Sequence, residues 1–143
     1  MRCFLTDERG STPLEFITVG VLLLVPLVYL VLTLGQVQSA SFAAEGAVRQ
    51  AVRVFVTSAD ITSARTGADI AMTDALADAH FTSNDAVSTL TCAPSPSACL
   101  QPNSWVTANT TVSVALPFIP HIFNLDKYAR VSVSARATEV VPR

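Results

Sequence analysis

The chain has 143 residues, of which 50% are apolar and only 14% charged, against the roughly 25% usual in soluble domains. A net charge of −2 leaves no basic footprint for nucleic acid, and no polybasic run is present to hold anionic lipid. The length admits one membrane segment and one small domain.

In chain order, the first element is a short charged leader, residues 1–10, that ends in Glu8-Arg9-Gly10. Ser11-Thr12-Pro13-Leu14-Glu15-Phe16 follows, and read locally it marks a helix start, with Pro13 at an early position and Glu15 complementing the helix N-terminus.

The charge deficit is concentrated in what comes next. Residues 16–44 contain no Asp, Glu, Lys, Arg or His. Phe16 to Leu34, at about 1.5 Å per residue, reaches roughly 28 Å, close to the hydrocarbon thickness of about 30 Å. A secretory signal would have a shorter apolar region, about 7–15 residues, before a small-residue cleavage site. A buried core helix would need a larger domain to wrap it on all sides. One membrane-spanning helix is the expectation, kinked at Pro26, which lacks a backbone donor.

Beyond the span the helix continues and becomes amphipathic. Ala44, Ala47, Val48, Ala51, Val52 and Phe55 fall on one face, with Glu45, Arg49 and Arg53 on the other. Glu45 precedes Arg49 in the favourable i,i+4 order. The helix is expected to end near Thr57. Arg2 and Arg9 on one side of the span balance Arg49 and Arg53 on the other, so the shortness of the N-terminal segment favours its placement inside.

Gly10 followed by four residues and then Glu15-Phe16, set directly before this apolar run, resembles the processing site of type IV prepilins. That resemblance implies cleavage after Gly10 by a prepilin peptidase and methylation of the new amino terminus at Ser11. Glycine suits an extended backbone in a protease cleft, and a lone carboxylate at the bilayer edge calls for a partner. The Ser11 amino group, its own or a neighbour's, would supply one. Glu15-Phe16, the aliphatic run with Pro26-Leu27, Gly35, and the stretch Ala43-Ala44-Glu45-Gly46-Ala47-Val48-Arg49-Gln50-Ala51-Val52-Arg53 are similar to the TadE/TadG family. Its members are pilin-like membrane proteins of the Flp (tight-adherence) pilus and secretion system. The similarity covers about residues 9–56 and returns weakly over 110–140. The chain departs from the family pattern at Pro13, and at Val48 and Val52, where smaller residues are usual.

The rest of the chain, residues 58–143, reads as a small extracytoplasmic domain. Residues 58–67 suggest a loop, and Thr66 with Asp69 a cap for a short helix over about 68–80. Met72, Ala75, Leu76 and Ala79 form its apolar stripe, while Asp69, Asp74 and Asp78 read as a solvated face rather than a metal site. Cys92 and Cys99 bracket a polar turn. Their spacing fits no common zinc pattern, and in an external domain a disulfide is expected over free thiols. Cys3 stands apart on the leader. Val112, Val114 and Leu116 alternate with polar residues, as do Val131, Val133, Ala135 and Ala137, giving two half-buried strands. The apolar 117–125 segment between them could cover the core, touch headgroups or meet another subunit.

The fold class expected is therefore α+β: a long helix, a short one, and an antiparallel hairpin or small sheet. His80 and His121 have no metal-ligand spacing, and neither a nucleophile elbow nor a glycine-rich phosphate loop is present. No catalytic role, cofactor or metal is expected, nor a nucleic-acid or small-molecule partner. The resemblance implies a minor pilin or pseudopilin of an Flp-type pilus or related secretion apparatus, located at the cell membrane, whether as a subunit of the extracellular fibre after processing or as an inner-membrane scaffold. Its partners would be the prepilin peptidase, other pilin-like subunits, the assembly platform and the bilayer. The competing readings are an anchored cell-envelope binding protein in which Gly10 and Glu15 coincide by chance, and, more remotely, an anchored hydrolase.

Overall fold

A computed structural model describes residues 11–97, 99–116 and 129–142. The order is α1 (Ser11–Thr57), α2 (Ile61–Asp78), β1 (Ala86–Ala93), β2 (Trp105–Ala115) and β3 (Arg130–Val140), the α+β arrangement expected. His121 and the apolar 117–125 segment lie outside the described residues.

α1 is one helix of 47 residues that runs through Pro26 without interruption. Its two halves differ as their compositions require. Leu22, Leu27 and Leu30 in the first half are more than half exposed, whereas Ala40, Ala44, Ala47, Ala51 and Phe55 in the second are fully enclosed. The alanines let other elements approach the helix closely, and Phe55 fills the space nearest its end. The opposite face keeps Glu45 and Arg49 in solvent, 3.6 Å apart. An exposed pair of this kind adds little stability. At the C-terminus the Thr57 and Ser58 hydroxyls donate back to the Arg53 and Val54 carbonyls, adding side-chain bonds to the last turn.

The chain then turns tightly into α2. The short helix begins earlier than residue 68, because Asp60 is its N-cap: the carboxylate accepts from the Thr62 and Ser63 backbone N–H groups at 2.9 and 3.0 Å. Thr66 and Asp69 are interior helical residues. The face turned inward carries Ala64, Ala68, Met72 and Leu76, all buried. Packing of this face on α1 outweighs the weak helix propensity of Thr62, Ser63 and Thr66. Gly67 accommodates the partner helix, since a Cβ there would come within 3.0 Å of Val54 Cγ1. α2 ends in a Schellman motif: Phe81 N–H donates to Leu76 O and His80 N–H to Ala77 O, with His80 at φ 65°.

The sheet is antiparallel throughout, in the order β1-β2-β3. Central β2 turns Val106, Ala108, Val112 and Val114 inward, where α1 packs across β2 and β3. Thr110 is the polar member of that face, and its hydroxyl bonds Ser88 Oγ at 2.9 Å. The other face is hydroxyl-rich, with Thr107–Thr138 and Thr111–Ser134 pairs at 2.9 and 3.0 Å. β2 and β3 include the two expected strands; Leu116 lies just past the end of β2. β1 was not anticipated, and β2 starts well before residue 112. In β1 each face mixes apolar and hydroxyl residues, so no clean period of two appears in the sequence.

Candidate functional site

The candidate site is the N-terminal end of α1 and the apolar span it opens. Gly10 lies outside the described residues, and α1 begins at Ser11. Glu15 stands on the exposed surface one turn further in, followed by Phe16, which is 80% exposed. The first turn itself contains no acidic residue. The macrodipole falls off within that turn, so a favourable interaction of Glu15 with the helix N-terminus is weaker than the sequence suggests. The Glu15 carboxylate therefore projects from the side of the helix, immediately before its apolar band.

From Phe16 to Leu34 nearly every large side chain is exposed, and the segment is long and apolar enough to cross a membrane. A contiguous apolar surface of this extent requires lipid or protein cover. Its two threonine hydroxyls are satisfied internally. Thr18 Oγ1 donates to Leu14 O at 2.7 Å and Thr33 Oγ1 to Tyr29 O at 2.8 Å, which removes the penalty of an unpaired hydroxyl in hydrocarbon. Pro26 lacks the N–H that would serve the Leu22 carbonyl. A shallow open groove lined by Ile17, Val21, Leu22 and Val25 runs up to it.

Just beyond the span, Gln36 and Ser39 line an open cleft of about 400 Å³ together with His80, Asp85 and Ser113. Asp85 ties this end of the domain together. Its carboxylate accepts from the Thr82 hydroxyl at 2.7 Å and lies 3.5 Å from Arg130 Nη1. The Thr82 hydroxyl and N–H, with help from Arg130, hold its acid below the usual carboxylate range. Asp85 and Arg130 come together only through strand pairing, so nothing local in the sequence announced them.

Cys92 at the end of β1 is joined to Cys99 by a disulfide, with Cα atoms 5.2 Å apart. Among the described residues no group of three or more His, Cys, Asp or Glu side chains is placed to hold a metal ion. Asp69, Asp74 and Asp78 are all exposed on α2.

Comparison with protein-family models, with curated proteins and with solved structures finds no match for this chain.

Proposed function

We propose that this chain is a pilin-like subunit, cut after Gly10 and assembled through its apolar helix into an Flp-type pilus or a related secretion apparatus. One observation carries the reading: a single exposed carboxylate, Glu15, opens an otherwise uncharged exposed span that continues unbroken into the core of the domain. A helix serving only as an anchor gains nothing from that charge, which would cost about 2.5–3.5 kcal/mol at the bilayer centre and less near the surface. Paired with the Ser11 amino group of a neighbouring subunit, the same charge sets axial register. The groove beside Pro26 gives a neighbouring helix a surface to pack against. The rigid connection matters equally, because a domain fused to its helix is carried wherever the helix packs. In the membrane before assembly, the N-terminus is cytoplasmic and the domain extracytoplasmic.

Processing is tested by intact-mass measurement of the chain co-expressed with its prepilin peptidase. The expected product starts at methylated Ser11, and Gly10→Ala retains the leader. An intact leader in the presence of active peptidase contradicts the proposal.

A further inference from the structure

Two polar groups inside the apolar span are left without partners. Pro26 has no N–H to give the Leu22 carbonyl, and no side chain among the described residues donates to it. The Tyr29 hydroxyl makes no hydrogen bond among the described residues either, unlike the hydroxyls of Thr18 and Thr33. Hydrocarbon serves neither group, and a carbonyl freed by proline in a membrane helix is re-satisfied by side chains, water or a neighbouring helix. Long helical side chains lean toward the helix N-terminus. For Tyr29 that direction leads into the span, away from its nearer end at Leu34. Leu22 and Tyr29 stand on one face about 10.5 Å apart along the axis, and the open grooves that they line meet at Val25.

At about 100° per residue, Ser11, Glu15, Leu22 and Tyr29 fall within about 40° of one another, along a single line down α1. Two such lines packed parallel and level would set Glu15 against Glu15 and Tyr29 against Tyr29, like charge on like charge. A displacement of about four residues, roughly 6 Å, removes both conflicts. It brings the Ser11 amino group of one copy level with the Glu15 carboxylate of the next. The same displacement puts Leu22 of the first copy about 4.5 Å toward the N-terminal side of Tyr29 of the second. Helix carbonyls point toward the C-terminus and the tyrosine leans toward the N-terminus, so each group closes part of that gap. One offset therefore serves both pairs.

We infer that copies of this chain pack side by side along this line, parallel and displaced by about four residues, with the Tyr29 hydroxyl of one donating to the Leu22 carbonyl of the next. The occupant is a second copy because the chain carries both the surplus donor and the surplus acceptor, at the spacing that the Glu15 to Ser11 pairing demands. The Glu15 half of the contact rests on the pilin-like reading, whereas the Tyr29 half rests on α1 alone. The contact is heterologous. Each pair of copies leaves one Tyr29 and one Leu22 carbonyl over for further copies, so the contact extends and does not close.

The test uses the full chain on a Cys3→Ser background, co-expressed with its prepilin peptidase and reconstituted in phosphatidylcholine liposomes. Association is read by energy transfer between copies labelled at an added C-terminal tag. Offset is read by oxidative crosslinking of copies carrying Thr18→Cys with copies carrying Leu22→Cys. Tyr29→Phe removes the donor, and Pro26→Ala satisfies the acceptor within its own helix. Each should weaken association about threefold or more, and the double variant should be no weaker than either single one. The mixed 18–22 crosslink should exceed both same-residue crosslinks. Association indifferent to Tyr29→Phe, losses that multiply in the double variant, a predominance of same-residue crosslinks, or no association between copies would each overturn the inference. Intact mass is measured on the same sample. A retained leader contradicts the pilin-like reading and removes Glu15 from the contact, while the coupling of Tyr29 to Pro26 is still decided on the uncleaved chain. A cleaved chain indifferent to Tyr29→Phe overturns this contact and leaves that reading in place.

Discussion

Leu34 and Ala40 stand about 9 Å apart along α1, and between them the helix passes from 53% exposed to fully enclosed. No linker separates the apolar span from the domain. On the proposed reading this continuous helix holds the domain against the membrane surface, with the cleft lined by Gln36, Ser39 and Asp85 at its membrane-proximal end.

Single cysteines placed on a Cys3→Ser background report this boundary. Gln36→Cys should react with a membrane-impermeant maleimide added outside intact cells, and Leu30→Cys should not. Equal reaction at both positions would remove Leu30 from the bilayer. Reaction of Gln36→Cys only after permeabilisation would reverse the proposed orientation.

The Cys92–Cys99 bridge closes a short loop, and loop-closure entropy assigns it about 2.5 kcal/mol of stability. Both thiols should resist alkylation until a reductant is added. Reduction should lower the denaturant midpoint of the domain by the corresponding amount. Alkylation of both in unreduced protein would contradict the pairing.

Acid should loosen the domain through two capped carboxylates. The Ser63 hydroxyl and N–H, then the Thr62 N–H, hold Asp60 below its ordinary value, and the Thr82 hydroxyl, the Thr82 N–H and Arg130 do so for Asp85. A depressed folded-state pKa gives stability that is present above the unfolded value of about 3.9 and is lost as pH falls through the folded one. Urea midpoints should therefore drop below about pH 4. Asp60→Asn with Asp85→Asn should flatten that limb, and an unchanged slope would show that other carboxylates govern it.

Much of this architecture was legible in the sequence because α1 is long and strongly patterned. The uncharged stretch and the Ala44-to-Phe55 stripe each point to one environment; the structure leaves the large side chains from Phe16 to Leu34 uncovered by the domain and buries the stripe. The start of α2 was misplaced because Asp60 caps a turn whose Thr and Ser residues resemble a loop. Packing of Ala64 and Ala68 on α1 decides the matter, and two alanines give little periodic signal. β1 escaped notice for a related reason. Of its inward residues at the sheet edge, Ala86 and Leu90 are only half-buried and Ser88 is exposed, so burial imposes little apolar pattern there. The Glu15 and Phe16 signature was readable as a motif, whereas the meeting of Asp85 with Arg130 depends on strand register.

Glu15 separates assembly from anchoring more directly than any other residue. Glu15→Leu, Glu15→Gln and Glu15→Asp should be compared for membrane insertion, for cleavage after Gly10, and for crosslinking to neighbouring subunits or surface piliation. A carboxylate that pairs with a neighbour's Ser11 amino group predicts normal insertion and near-normal cleavage in all three. It also predicts loss of subunit crosslinking and piliation in the Leu and Gln variants, with partial retention in Asp. Wild-type crosslinking and piliation in all three would contradict the assembly role and leave α1 as an anchor alone.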